Sequence, residues 1–302
     1  METPRVSVII ATYNWSAVLP YSIRSALGQT LSEIEVLVVG DGCTDDSEAI
    51  VAAVGDPRVR WINLATNTGN QFGPNNEGLR QARGEYIAYL GHDDLWLPHH
   101  LACLVAALEA GADLANGMVA FVPPSPEDAS AAYERSADPL LVTTGYRPGR
   151  WLPPTGVVHR RSVTTSLGGW RHYRDLIVFP EVDLWQRAAA AGFTFAFVPR
   201  LTAVKFPAMW RSNIYQIRPC HEQAAWLKRI QEEDDLEMTE LAQMVLTAKQ
   251  ALKPKFYRAL WAELFQATRL RLVGRAARLL KPAPTKGGFI DRYRKLKGLP
   301  KR

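Results

Sequence analysis

Residues 6–14, Val6-Ser7-Val8-Ile9-Ile10-Ala11-Thr12-Tyr13-Asn14, decide the fold. The first five are mostly apolar and β-branched, which predicts a short buried strand, and the last three are polar residues that end it. The same change from an apolar run to a polar end occurs at residues 34–42 and 85–94. Helical stretches of about ten residues separate these runs. Short buried strands that alternate with helices predict an α/β fold with a mainly parallel sheet flanked by helices.

Each of these three predicted strands ends in a polar cluster. The clusters are Thr12-Tyr13-Asn14, Gly40-Asp41-Gly42 and Gly91-His92-Asp93-Asp94. The carboxyl ends of parallel strands meet at one edge of a sheet, and open α/β sheets bind their ligands in the crevice outside that edge. We therefore expect the three clusters to lie together and to form one ligand site.

The residue types in these clusters suit a nucleotide and a metal ion. The adjacent carboxylates of Asp93 and Asp94 repel each other unless a cation or hydrogen-bond donors neutralise them. A hard divalent cation, Mn²⁺ or Mg²⁺, suits such oxygen ligands and can hold a diphosphate at the same time. The alternative is a solvated Asp-Asp turn that caps the next helix. Asp41 can accept hydrogen bonds from a base or a ribose, although Gly-Asp-Gly is also a common tight turn.

Composition and cysteine usage exclude several classes of protein. Of the 302 residues, 47% are hydrophobic and 22% are charged, as in ordinary globular proteins and unlike disordered chains. The cysteines Cys43, Cys103 and Cys220 are odd in number and far apart, which argues against a disulfide framework and favours a reducing compartment. No signal-peptide pattern and no run of about 18 apolar residues is present. The sequence therefore predicts a cytoplasmic protein.

Positive charge is concentrated near the end of the sequence. Residues 251–302 contain 15 Lys and Arg against two acidic residues, although the whole chain carries only +6. Within residues 256–280, apolar side chains recur at near-helical spacing among arginines, and such a helix can lie on the anionic inner face of a membrane. The alternatives are packing on the body of the protein or on a second subunit. Nucleic acid is not an expected partner, because no nucleic-acid-binding module is recognisable.

The change in pattern also suggests a division of the chain. Residues 1–220 carry the alternating strands and helices, and residues 221–302 are dominated by helical patterns with breaks at prolines. We therefore predict an α/β domain over residues 1–220 and a basic helical extension over residues 221–302.

Three motifs, taken together, resemble the family 2 glycosyltransferases of GT-A fold. They are residues 6–14, Val38-Val39-Gly40-Asp41-Gly42-Cys43-Thr44-Asp45 and Gly84-Glu85-Tyr86-Ile87-Ala88-Tyr89-Leu90-Gly91-His92-Asp93-Asp94. Their order and spacing match that family over roughly residues 4–210. The resemblance implies metal-dependent transfer of a sugar from a nucleotide-diphosphate donor, most often a UDP-sugar, with inversion at the anomeric carbon. It implies Mn²⁺ or Mg²⁺ as cofactor and a glycan or lipid-linked acceptor in surface glycan or polysaccharide synthesis.

The resemblance also assigns residues to the donor by position. The donor-binding positions are Ala11, Thr12, Tyr13, Asp41 and Asp93. Asp41 corresponds to the family's uracil-contacting aspartate, Asp93 to the residue near the ribose, and Asp94 to the metal-binding aspartate.

The sequence departs from the family at several positions. Gly40 and Gly91 stand where many members have an acidic residue, and Asn75 stands where many have arginine. The loss of the acids leaves open a non-catalytic protein of the same fold that binds a sugar nucleotide or a glycan. A nucleotidyltransferase is a further alternative, but the glycine-rich, lysine-bearing phosphate loop that such an enzyme needs is missing.

The general base is expected in the second half of the chain. The segment Phe179-Pro180-Glu181-Val182-Asp183-Leu184-Trp185-Gln186-Arg187 resembles the family's Glu-Asp-x-Asp-Leu-Trp-x-Arg segment. By this register Glu181 replaces the aspartate that acts as general base, and Asp183 is the second candidate. Inverting transfer needs a carboxylate within hydrogen-bond reach of the acceptor hydroxyl. In the alternative interpretation, both acids only start a helix, where they suit its dipole.

Candidates for acceptor contacts are fewer. Trp170 follows Gly168-Gly169, which resembles the family's Gly-Gly-aromatic turn, and we expect it either to stack on an acceptor sugar or to be a core residue beside a structural turn. Lys205 and Arg211 are candidates for diphosphate or acceptor contacts, with solvated surface charge as the alternative.

Overall fold

An eight-stranded mixed sheet forms the framework of the protein. The structure, a computed structural model, describes residues 3–130, 145–148, 151–243 and 286–296. The strands are β1 (Val6–Thr12), β2 (Ile34–Gly40), β3 (Val59–Asn63), β4 (Tyr86–Tyr89), β5 (Leu95–Trp96), β6 (Leu114–Phe121), β7 (Val157–Arg160) and β8 (Phe195–Lys205). Their order in the sheet is β3-β2-β1-β4-β7-β6-β8-β5.

Helices connect most of these strands. In chain order they are α1 (Leu19–Leu27), α2 (Ser47–Ala52), α3 (Phe72–Gln81), α4 (His100–Glu109), α5 (Arg161–Leu167), α6 (Pro180–Ala190), α7 (Ile214–Ile217), α8 (His221–Glu232) and α9 (Gly288–Leu296). Residues 236–243 are also helical. The 256–280 segment that the sequence predicts as a basic amphipathic helix lies outside the described residues.

Strand direction divides the sheet into two parts. In the first part β1 runs parallel to β2 and β4, and β2 runs parallel to β3. In the second part β6 and β8 are parallel, but β7 lies antiparallel between β4 and β6, and β5 is antiparallel to β8. The prediction of an α/β fold with helices around a mainly parallel sheet is confirmed. The sequence pattern did not predict that β5 and β7 run antiparallel to their neighbours.

Both faces of the central strands are buried, which explains why their sequences are continuous apolar runs. Val8 and Ile10 of β1 belong to one hydrophobic cluster, which α1 and α4 cover. Ile9, which points to the other face, belongs to a second cluster together with Leu184 and Trp185 of α6. Successive side chains of a strand point to opposite faces, so a strand that is covered on both sides needs apolar residues at every position.

Two described helices of the predicted basic extension pack on the α/β body. Leu227 and Ile230 of α8 share a hydrophobic cluster with residues of β5 and β8. Just before α9, the N–H of Gly287 donates to the carbonyl oxygen of Leu176 (2.7 Å). Within α9, Nη1 of Arg294 donates to the carbonyl oxygen of Gly69 (2.7 Å). None of the helices in the described ranges combines the length and the apolar character that crossing a bilayer requires.

Candidate active site

The three polar clusters come together at the carboxyl end of the parallel strands. The N–H of Asp41 donates to the carbonyl oxygen of Thr12 (2.8 Å). Nδ1 of His92 lies 3.1 Å from the carbonyl oxygen of Ala11. The end of β1 therefore contacts the cluster that follows β2 on one side and the cluster that follows β4 on the other. The expectation that these clusters lie together is confirmed.

Asp41 is a buried carboxylate that shapes the loop over residues 66–71, called the 66–71 loop below. Its Oδ1 accepts hydrogen bonds from the N–H and the hydroxyl of Thr68 (both 2.8 Å), and its Oδ2 accepts one from the N–H of Gly69 (3.1 Å). Gly42 has a left-handed φ of 72°, and a Cβ there would lie 2.6 Å from the backbone nitrogen of Asn67. Glycine is therefore required where the two segments meet.

The end of β1 presents one accessible ring. Thr12 is buried, whereas Tyr13 is 37% exposed. Tyr13 follows Thr12, whose carbonyl oxygen accepts the N–H of Asp41, and a partly exposed aromatic ring offers a stacking surface that a nucleotide base can use. The predicted donor residues Tyr13 and Asp41 thus lie in one region, and their roles toward a donor stay predictions.

The two glycines that replace family acids are explained by close neighbours. A Cβ at Gly40 would lie 2.5 Å from Oδ1 of Asn63 and 2.7 Å from the ring of Trp61. A Cβ at Gly91 would lie 2.4 Å from Oδ2 of Asp94. These distances are shorter than ordinary contacts, so larger side chains at either position would displace the groups around them.

Asp93 and Asp94 differ sharply in their surroundings. Asp94 is fully buried: Nζ of Lys205 donates to its Oδ2 (2.8 Å), and the N–H of Phe206 donates to its Oδ1 (3.3 Å). Burial raises the pKa of Asp94, and the Lys205 ammonium acts in the opposite direction. Asp93 is only partly buried. The structure therefore brings Lys205 into the candidate site as the counter-ion of Asp94.

The residues present suit a divalent cation only if a ligand supplies most of its coordination. Asp94, the ligand that the motif predicts, already accepts donors on both oxygens, and Asp93 is the more accessible carboxylate. Among the described residues, no group of three or more His, Cys, Asp or Glu side chains is arranged to hold a metal ion. Mg²⁺ is commonly held by one or two carboxylates together with substrate phosphates and waters, and this donor set fits that mode.

Glu181 is a buried carboxylate that neutral donors hold. It follows Pro180 at the start of α6 and is 6% exposed. Nε1 of Trp151 donates to its Oε1 (2.6 Å), and Nε2 of Gln71 donates to its Oε2 (2.9 Å). Burial raises the pKa of Glu181, against the lowering effects of the Trp151 hydrogen bond, the Lys205 charge and Gln71. A carboxylate with a raised pKa in a fixed orientation has the properties of a general base.

Asp183, the second candidate for the base, belongs to an ion-pair network. Nε of Arg187 donates to its Oδ2 (2.8 Å), and Nη1 of Arg171 lies 3.5 Å from its Oδ1. Arg187 also donates to the carbonyl oxygens of Leu167 and Gly169, so this network fastens α6 to the turn after α5. Of the two candidates, Glu181 therefore has the surroundings of a base.

Trp170 lies in the core and requires a correction. Its side chain is 3% exposed, its Nε1 donates to the hydroxyl of Tyr89 (2.9 Å), and it packs edge-on against Tyr89 and Trp185. An acceptor sugar has no accessible face of Trp170 on which to stack.

Arg211, which the sequence offered with Lys205 as a charged candidate, is 4% exposed and forms two hydrogen bonds to the carboxylate of Glu222, which makes it a structural residue.

Two residues around Glu181 were not predicted from the sequence. Gln71 and Trp151 lie 110 and 30 residues from Glu181 along the chain, and they meet it only in the folded protein. Neither residue lies at a fixed spacing from Glu181 that a sequence motif would show. The sequence offered one indication, because Gln71 is the last residue of the 66–71 loop, whose Asn and Gly residues are typical of a turn.

Comparisons with known proteins agree with this geometry. The family profile "Glycosyl transferase family 2" matches residues 7–164, just over half of the chain. The succinoglycan biosynthesis protein ExoO of Rhizobium meliloti is 40% identical over 115 residues, 38% of this chain and 33% of that protein. WfaP of Escherichia coli, a UDP-Glc:alpha-D-GlcNAc-diphosphoundecaprenol beta-1,3-glucosyltransferase, is 38% identical over 92 residues, 30% of this chain and 36% of that protein. The chain spans between about a third and about half the length of the first curated relatives that it matches.

A solved structure extends the likeness over nearly the whole chain. Mannosyltransferase PcManGT from Pyrobaculum calidifontis, in complex with GDP-Man and Mn²⁺, has a TM-score of 0.53 and 21% identity, and the match covers 98% of this chain and 85% of PcManGT. At this identity the likeness concerns the fold, and the predicted GT-A-type fold is confirmed. The family profile spans β1 to β7 and all three polar clusters. The chain therefore belongs to glycosyl transferase family 2.

Proposed function

We propose that this chain transfers a sugar from a nucleotide-diphosphate donor to an acceptor hydroxyl in surface glycan or polysaccharide synthesis. The observation that carries the proposal is the position of the buried carboxylate of Glu181. Trp151 donates to this carboxylate and packs on Phe121. Phe121 is the register partner of Lys205, which pairs with Asp94 of the third cluster. A base candidate thus lies beside the expected diphosphate site. Membership of family 2 supports the reaction, and ExoO, named for succinoglycan biosynthesis, supports the process.

The donor is a UDP-sugar in this proposal. Tyr13 supplies the ring against which the base packs, Asp41 accepts a hydrogen bond from the base, and the backbone of Ala11 and Thr12 lines the pocket. The UDP-Glc in the name of WfaP supports uridine, whereas PcManGT was solved with GDP-Man, so guanosine is the alternative base. Asp93 faces the ribose and the diphosphate.

A divalent cation, Mn²⁺ or Mg²⁺, is the proposed cofactor, and the Mn²⁺ in the PcManGT complex supports it. Asp93 would hold the cation, because its carboxylate is the more accessible one. Asp94 would join only by giving up one of its present donors, Lys205 or Phe206. When bound, the cation would neutralise negative charge on the diphosphate.

Glu181 is the proposed general base. It takes the proton of the acceptor hydroxyl while the acceptor oxygen forms a bond to the anomeric carbon and the bond from that carbon to the diphosphate oxygen breaks. Attack on the face opposite the diphosphate inverts the configuration at the anomeric carbon. Trp151 and Gln71 orient the Glu181 carboxylate, and Lys205 supplies positive charge near the leaving group.

The acceptor and the location of the protein belong to the same proposal. A glycan or lipid-linked glycan is the proposed acceptor, supported by the diphosphoundecaprenol-linked acceptor in the name of WfaP. Peripheral contact with the inner face of the membrane would come from the basic residues 251–302, with the enzyme in the cytoplasm.

Binding and turnover measurements test the proposal. Calorimetric titrations would use UDP and GDP with and without Mn²⁺. Release of nucleoside diphosphate would then be followed from UDP-glucose, UDP-N-acetylglucosamine and GDP-mannose, with soluble and lipid-linked glycans as acceptors. We expect nucleotide binding that Mn²⁺ tightens and release that depends on the acceptor. Binding without release in any combination would favour the non-catalytic sugar-nucleotide binder, and absence of nucleotide binding would contradict both functions.

A further inference from the structure

Trp151 is a large apolar side chain that stays accessible next to the proposed base. It is 39% exposed, and its only polar side-chain atom, Nε1, donates to Oε1 of Glu181 (2.6 Å). Indole has no second donor and no acceptor, so this hydrogen bond uses its whole polar capacity. What Trp151 offers to a ligand is therefore the apolar face of its ring.

The position of this ring is fixed by the residues around it. Phe121 packs against Trp151 with ring centroids 5.8 Å apart, and Phe121 in turn packs against the buried Trp210 at 6.0 Å. The next residue in the chain, Leu152, is buried, and its carbonyl oxygen accepts a hydrogen bond from Nε1 of Trp185 (3.0 Å). Contacts on the ring, on the indole N–H and on the adjacent backbone thus hold Trp151 in one place.

The groups beside the ring are polar. Glu181 accepts the indole N–H, and Gln71 donates to the other oxygen of the same carboxylate. Lys205 is the register partner of Phe121, on which the Trp151 ring packs. An apolar ring face with hydrogen-bonding groups at its rim suits a ligand that has an apolar face and polar groups around its edge. A pyranose ring has this character, because its C–H bonds form the faces and its hydroxyls form the rim.

We propose that Trp151 forms the acceptor subsite, in which a pyranose ring of a carbohydrate acceptor packs on the exposed indole face next to Glu181. The inference rests on the proposed function. It narrows the class of acceptor, because it requires that the acceptor hydroxyl belongs to a sugar ring. It replaces Trp170, which is buried. The indole N–H also ties the stacking surface to the base, so a sugar that packs on the ring lies beside the carboxylate that is to take its proton.

The experiment measures sugar binding apart from turnover. Saturation-transfer NMR would detect methyl glycosides of glucose, galactose, mannose and N-acetylglucosamine, and their β-linked disaccharides, on the full chain saturated with UDP. The variants are Trp151→Ala, which removes the ring, and Trp151→Phe, which keeps a ring but loses the indole N–H. Phe197→Ala is the matched control, since Phe197 is 38% exposed and pairs with Asn116, whereas Lys205 pairs with Phe121 five residues further along β6, about 17 Å away at roughly 3.3 Å per residue.

We expect at least one glycoside to bind the wild-type chain, about tenfold weaker binding to Trp151→Ala, and intermediate binding to Trp151→Phe. The control should bind glycosides like the wild type, and all variants should keep the UDP affinity of the wild type. Trp151→Ala should melt at a lower temperature, because it removes the hydrogen bond to Glu181 and the ring contact with Phe121. Glycoside binding that Trp151→Ala leaves unchanged would overturn the inference, as would UDP binding without glycoside binding in the wild type. Failure of UDP to bind the wild type would instead contradict the proposed function, and ring-dependent glycoside binding in that case would still support the subsite. If Trp151→Ala does not fold, Trp151→Phe decides: glycoside binding equal to that of the wild type would contradict the inference.

Discussion

The donor side and the base side of the candidate site are built in different ways. On the donor side, Asp41 holds the backbone of the 66–71 loop through Thr68 and Gly69, and all of these residues lie close to the ends of adjacent parallel strands. On the base side, Glu181 is held by two side chains, Gln71 and Trp151, from separate parts of the chain. The donor side thus relies mainly on main-chain N–H groups, with the Thr68 hydroxyl as one side-chain donor, whereas the base side depends on individual side chains.

This difference indicates what each side tolerates. Backbone N–H groups are present whatever the residue, so the donor side depends on the one carboxylate that they surround and on glycines that allow the approach. On the base side, each substitution removes a specific hydrogen bond. We therefore expect substitutions on the donor side to change nucleotide affinity and substitutions on the base side to change the rate.

The largest effect is expected from Glu181→Gln. The amide keeps the size of the side chain but cannot accept the acceptor proton, so transfer should fall by about 10³-fold, as for loss of a general base, with UDP affinity unchanged. Initial rates and calorimetric UDP titrations provide the two measurements. Glu232→Gln, an exposed position on α8, is the control. A rate near that of the wild type would show that Glu181 is not the base.

Asp41→Asn tests the donor side. The new amide group would face the N–H donors of Thr68 and Gly69 in place of a carboxylate oxygen, and loss of a charged acceptor costs about 2 kcal/mol. We expect UDP binding to weaken by about 30-fold, with little change in the rate at saturating donor. Glu48→Gln on the exposed side of α2 is the matched control. If the rate at saturation falls instead, the division of roles between the two sides is wrong.

The pair Asp93→Asn and Asp94→Asn distinguishes a metal ligand from a structural counter-ion. Asp93→Asn should weaken the Mn²⁺ dependence of UDP binding by about tenfold and leave stability unchanged. Asp94→Asn should lower the free energy of unfolding by about 2 kcal/mol, because it replaces the carboxylate that pairs with the Lys205 ammonium by a neutral amide. This is below the value for a fully buried pair, since the Lys205 side chain keeps 22% of its exposure.

Titration with Mn²⁺ and unfolding in urea measure the two effects. If Asp94→Asn abolishes the Mn²⁺ dependence while Asp93→Asn preserves it, Asp94 is the metal ligand, as the motif predicts.

The pH dependence of the rate gives the smallest expected effect. The base must be deprotonated to act, and the pKa of Glu181 is raised above its ordinary value by burial, so activity should decline with falling pH at a higher pH than an exposed glutamate would cause. Gln71 donates to the carboxylate and lowers this pKa. Gln71→Leu should therefore move the decline to higher pH, measured as kcat/KM against pH. A shift to lower pH, or none, would contradict the contribution of Gln71.

The sequence predicts the placement of the donor-side residues well because the information there is local, and their roles toward a donor stay predictions. The apolar runs of β1, β2 and β4 determine both the strands and the edge at which their polar ends meet, and Asp41 and Asp93 follow directly from that placement. The antiparallel direction of β7 was not predicted. This strand is only four residues long and inserted between other strands, so its apolar residues fit a parallel or an antiparallel position equally well.

The base side depends on contacts that no local pattern encodes. Lys205 and Asp94 are 111 residues apart in the sequence. A lysine at the end of a strand has the same local sequence pattern whether its ammonium is solvated or paired with a carboxylate. Trp170 and Trp151 both follow turn-like residues, and only the packing of Tyr89 and Trp185 around the first shows which is buried. The resemblance to family 2 glycosyltransferases identified Glu181 as a candidate base. Its hydrogen-bond donors, Gln71 and Trp151, could be identified only from the folded structure.

The hydrogen bond from Arg294 to Gly69 affects how membrane association of the basic residues should be tested. Gly69 also donates to Asp41, so deleting residues up to and including α9 would remove a support of the 66–71 loop along with the positive charge. If a shortened protein no longer floated with liposomes and no longer transferred sugar, the loss of positive charge could not be distinguished from the loss of support for the 66–71 loop. Replacing arginines within 256–280 by glutamine leaves α9 in the chain. This change tests lipid binding while the hydrogen bond from Arg294 to the 66–71 loop is kept.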